Sequence, residues 1–81
     1  VPRIPLPAAI RGKGLRPRIR LEVLVDENGR VIQAVPLTRD ASGLGFERRA
    51  LAAAHKTRFR PATRDGVRVK MWTDLSVQVV E

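Results

Sequence analysis

Residues 58–79 impose an order that few folds satisfy: a helix that must stop, a chain that must turn, and a strand that must follow. Arg58-Phe59-Arg60-Pro61-Ala62 carries an apolar aromatic out of a helical pattern into a proline. Proline cannot continue a helix and biases Arg60 towards extended backbone. Asp65-Gly66 then signals a turn, because glycine tolerates the positive φ that other residues avoid. Beyond it Val67, Val69, Met71, Leu75, Val77 and Val79 fall on odd positions, and Arg68, Lys70, Asp74, Ser76 and Gln78 fall between them. This two-residue period predicts a strand with one apolar and one polar face, and it places Trp72 on the polar one.

The upstream chain supplies something for that strand to pair with. Ile19, Leu21, Val23 and Val25 alternate with Arg18, Arg20, Glu22 and Asp26, a half-buried strand interrupted on its polar side only by Leu24. Asn28-Gly29 marks a hairpin turn, and Val31 to Leu37 is the return strand. A two-residue loop sets Ile32 opposite Val25, whereas a three-residue loop with a glycine bulge sets Val31 there. One residue of slip exchanges the two faces, so the pattern leaves the register open. Pro36 has no amide to donate and places this strand at a sheet edge. Asp40 to Gly43 reads as a loop.

Phe46 to about Thr57 is the main helix, with Phe46, Ala50, Ala53 or Ala54, and Thr57 forming an apolar stripe. Glu47 in its first turn and Lys56 and Arg58 at its end complement the helix dipole. The expected fold is α+β and two-layered in β-β-α-β order: one helix on a small three-stranded antiparallel sheet. Residues 17–81 form that core. Residues 1–16 are a lead-in containing Pro2, Pro5, Pro7, Gly12 and Gly14, extended and linker-like over Val1 to Pro7, with Pro7 opening a short helix through Ile10.

Eighty-one residues make a single domain with a thin core, burying roughly 60–65% of the surface exposed on unfolding. Without cysteine there is neither a disulfide framework nor a thiolate metal site. No apolar run approaches the ~18 residues that span a bilayer. A start at Val1 rather than Met is expected of a piece cut from a longer protein, with any signal or anchor in the removed part. The net charge is +8, and thirteen of the sixteen basic residues are arginine. Arg11, Lys13, Arg16, Arg18 and Arg20 form one cluster; Arg58, Arg60, Arg64, Arg68 and Lys70 form another. Such a surface attracts polyanions or acidic segments, and it also keeps a small domain soluble.

In this order the chain resembles the TonB C-terminal domain family. Ile4-Pro5 before Ala8 is similar to that family's aromatic-Pro lead-in, and Gly14-Leu15 stands where it has Gly-Ile-Glu-Gly. Val23-Leu24-Val25-Asp26 with Gly29-Arg30-Val31 resembles its strand–Asp–Gly–strand hairpin. Phe46, Ala50 and Leu51 match its helix, and Arg58 to Ala62 with Gly66-Val67 completes the set. Val1-Pro2 stands where the family's best-known member has Gln-Pro, and Ile4, Pro17 and Thr57 depart from a Tyr, a Gly and a Trp.

The resemblance implies a periplasmic domain of an inner-membrane-anchored energy transducer that grips the N-terminal tail of an outer-membrane transporter. A motor in the inner membrane supplies proton-driven work through the part preceding this domain. The implied grip is strand addition to the last strand, for which the site residues are Val69, Lys70, Met71, Trp72, Thr73, Asp74, Leu75, Ser76, Val77, Gln78 and Val79. Arg68, Lys70 and Asp74 also suit the charged protection that open edges carry. Trp72 is either a contact for the added strand or a cover for the open sheet face against Leu24.

Other function classes fit less of the sequence. His55 is the sole histidine, on a helix with no carboxylate four residues away, and neither a nucleophile–base pair nor a metal-ligand cluster appears. The expectation is therefore no enzyme, no cofactor and no metal. A basic nucleic-acid module has the charge but only Trp72 as a stacking aromatic, so specific nucleic-acid binding is not expected. A structural or interaction module of another envelope machine, including a homodimer of exchanged strands, shares the fold and differs in partner.

Overall fold

The computed structural model describes residues 3–5, 18–38 and 45–80. Its elements are β1 (Arg3–Pro5), β2 (Arg18–Val25), β3 (Val31–Pro36), α1 (Phe46–His55), β4 (Ala62–Arg64), β5 (Val67–Val69) and β6 (Met71–Val80). The expected short helix at Pro7–Ile10 and the loop at Asp40–Gly43 lie outside the described residues.

Alternation in β2 is obeyed strictly: Ile19, Leu21, Val23 and Val25 are buried, while Arg18 and Arg20 are exposed. The hairpin to β3 resolves the open register. Asp26 donates its amide to the Arg30 carbonyl at 2.8 Å and accepts from the Gly29 amide at 3.0 Å, with Gly29 at φ 80. This is a three-residue loop with a glycine bulge, so Val31 faces Val25; a separate register shift between Leu24 and Val25 sets Gln33 opposite Leu24 and leaves Ile32 as the extra residue. Val31 is thereby buried, while Ile32 is left exposed. Pro36 sits opposite Leu21 on β3, which is an edge strand.

The helix lays Phe46, Ala50 and Ala54 onto the sheet, where small side chains permit close approach. It stops at His55, two residues before the expected end. Lys56 and Thr57 donate amides to Ala53 and Ala54 three residues back, a tightened last turn, and Thr57 Oγ1 donates to the Ala53 carbonyl at 2.9 Å. The core closes with Leu75, Val77 and Val79 from β6. Full burial of side chains such as Leu21, Val23 and Val77 contributes about 1.5–3 kcal/mol each.

The sheet differs from the expected three antiparallel strands. Among the described residues it has four, in the order β1-β6-β2-β3, because residues 3–5 of the proline-containing lead-in pair in parallel with the end of β6. The antiparallel trio β6-β2-β3 matches the expectation. The long last strand is also divided. Val67–Val69 pairs with Ala62–Arg64 in a separate two-stranded ribbon whose turn, Asp65 at φ 53 and Gly66 at φ 79, has the two positive φ values of a tight hairpin. Lys70 separates this ribbon from β6.

Candidate functional site

β6 lies inside the sheet along only part of its length. On one side it pairs with β2 from Met71 opposite Val25 to Gln78 opposite Arg18. On the other side Gln78, Val79 and Val80 face Arg3, Ile4 and Pro5 of β1. Among the described residues no strand pairs with Met71–Val77 on that second side. Every other amide and carbonyl along this stretch therefore points to an open edge.

The eleven residues expected at the site divide accordingly. Val69 is in β5 opposite Ala62, and Lys70 is the link between strands. Met71, Trp72, Thr73, Asp74, Leu75, Ser76 and Val77 carry the open edge. Gln78 and Val79 already have β1 beside them. Sequence reasoning missed Arg3 to Pro5 as a strand. The one available signal was the extended backbone that Pro2 and Pro5 impose around Ile4.

The two faces of this edge differ. Towards the helix, Leu75 and Val77 are buried, but Met71 is 53% exposed and Thr73 is exposed. The cause is length: a ten-residue helix spans ~15 Å and a ten-residue strand ~33 Å. A cavity of about 140 Å³ fills part of the uncovered region, lined by Val25, Phe59, Arg60, Ala62, Met71 and Thr73. Phe59 is half-buried against the core.

On the opposite face Trp72 stands across from Leu24 and remains 43% exposed, and Asp74 stands across from Glu22. Arg20 reaches Asp74 at 3.9 Å; both side chains are well exposed, and such a pair is worth little. Trp72 thus leaves a large apolar surface beside the open edge.

The β2–β3 turn flanks the start of β6. Asp26 Oδ1 accepts from the Asn28 amide at 2.8 Å and the Arg30 amide at 2.9 Å. The Arg30 hydrogen bond, above all, holds this carboxyl below its ordinary range. Desolvation opposes the shift, while the Asn28 bond and the charges of Arg30 and Lys70 reinforce it. His55 is exposed at the end of α1, with Nδ1 3.2 Å from the Val31 carbonyl. Among the described residues no group of three or more His, Cys, Asp or Glu could hold a metal. No helix there is long and apolar enough to cross a membrane.

Residues 2–78 match the family of Gram-negative bacterial TonB protein C-terminal domains. The chain belongs to that family. A search of curated proteins found no match. The TonB C-terminal assignment agrees with the hairpin, helix and last strand that carried the resemblance.

Proposed function

We propose that this domain is the periplasmic grip of a TonB-like energy transducer, and that the N-terminal tail of an outer-membrane transporter adds as a strand to the open edge of β6 at Met71–Val77. The observation that supports this reading is that, among the described residues, β6 lies inside the sheet yet has no strand beside Met71–Val77 on the side away from β2. Backbone groups there supply affinity that depends little on the partner's sequence, and alternate side chains select the partner. A partner side chain directed to the helix side beside Met71 and Thr73 meets the 140 Å³ cavity, which suits an aliphatic group. One directed the other way meets Trp72. The net charge of +8 favours tails with acidic residues.

In this reading the domain passes on work from an inner-membrane motor through the protein preceding it. A nucleic-acid role has less support: Phe46 is buried and Phe59 half-buried, so Trp72 is the one well-exposed aromatic for stacking. Calorimetric titration with a synthetic transporter tail peptide and with its scrambled control tests the proposal. Saturable binding of the authentic peptide supports it. Absence of saturable binding by the authentic peptide removes it.

A further inference from the structure

We propose that β1 is a displaceable strand of the domain itself, occupying the far end of the same β6 edge that receives a partner and limiting the partner to Met71–Val77 for as long as it stays in place. The inference rests on the strand-addition reading above.

β1 is bound as an added strand would be, side by side with β6, at Arg3↔Gln78, Ile4↔Val79 and Pro5↔Val80. Its hold is weak for physical reasons. It has three residues, it pairs in parallel, which is slightly less stable per residue, and Pro5 has no amide to donate. Arg3 and Pro5 are both exposed. Arg49 Nη1 of the helix donates to the Pro5 carbonyl at 3.3 Å and latches β1 in place.

The groove between β1 and α1 brings Arg3, Arg49 and Lys56 together over Ala52 and Ala53, and no acid lines it among the described residues. Like charges there oppose closure. Beneath β1, by contrast, Val79 is fully buried and stays in the core. Departure of β1 therefore costs little and lengthens the open edge from Met71–Val77 to Met71–Val80. β2 reaches no further than Gln78, so the ladder partners of Val79 and Val80 come from β1 alone among the described residues.

The chain has no cysteine, so a single disulfide can lock β1 in place. Arg3→Cys with Gln78→Cys joins two registered neighbours, whose Cα separation in a sheet lies within disulfide range. A transporter tail peptide is titrated into the oxidised and the reduced forms, with amide shifts followed at Gln78–Val80. The expected result is about tenfold weaker binding to the oxidised form, the equivalent of one or two ladder bonds, with shifts at Gln78–Val80 only in the reduced form. Arg49→Gln, which removes the latch and leaves the edge untouched, is expected to tighten binding severalfold. Equal affinity in both redox states with Gln78–Val80 silent overturns competition by β1 while leaving strand addition standing. Peptide binding to neither form overturns the strand-addition reading and this inference with it.

Discussion

The Phe59 amide donates to the Gly29 carbonyl at 2.9 Å, and a Cβ built on Gly29 would collide with the Phe59 carbonyl oxygen. Backbone thus meets backbone where the β2–β3 turn touches the segment that follows the helix. Neighbouring Arg30 and Arg58 form an antiparallel bridge at the same junction. The contact fixes the direction in which the chain leaves towards β6.

Gly29→Ala is therefore expected to lose at least about 2 kcal/mol, since a positive φ and a backbone collision act together. Gly66→Ala is the control. Its φ is similarly positive, +79, but an added Cβ meets nothing within 4 Å, so about 1 kcal/mol is expected. Urea unfolding of both variants measures the difference.

Asp26 gives the turn an acid sensitivity. Its folded-state pKa is lowered, so its contribution is present above the unfolded value near 3.8 and is lost as pH falls through the lower folded value. Stability measured between neutral pH and pH 3 should fall at the acid end, and Asp26→Asn should flatten that part of the curve.

Trp72 is the only tryptophan, so its fluorescence reports on the open face without interference. Trp72→Ala should cost about 1 kcal/mol, because the side chain is only partly buried. An emission shift to the blue is expected when a transporter tail peptide binds, and the Ala variant should bind it more weakly.

Thr73 and Asp74 are neighbours whose amides point to opposite sides of β6. Proline at the one facing β2 removes a ladder donor and should cost about 3 kcal/mol or more of stability. Proline at the other should spare the fold and reduce peptide binding. Thermal unfolding and peptide titration of Thr73→Pro and Asp74→Pro separate the two roles.

Much of this architecture was legible because the period of the chain matched its burial. Ile19 to Val25 and Leu75 to Val79 alternate and are buried as they alternate, and Phe46, Ala50 and Ala54 recur at helical spacing. The register of β3 was not legible, because the choice between Val31 and Ile32 depends on how the loop counts its residues. β1 was hidden for another reason: three residues among prolines carry no period, and their pairing is with the distant end of the chain. Val67 and Met71 kept the apolar parity yet are exposed, since α1 ends before it can cover them. The family features were readable in Arg58 to Gly66, whereas the division of the site at Gln78 required the sheet order.

The most direct measurement is an amide NMR titration of the domain with the N-terminal tail peptide of an outer-membrane transporter. Strand addition predicts shifts concentrated in Met71–Val77, alternating in size along the strand, with Trp72 indole perturbed. A folded domain whose Met71–Val77 amides stay unmoved, while shifts gather on the basic β4–β5 ribbon or nowhere, would contradict it.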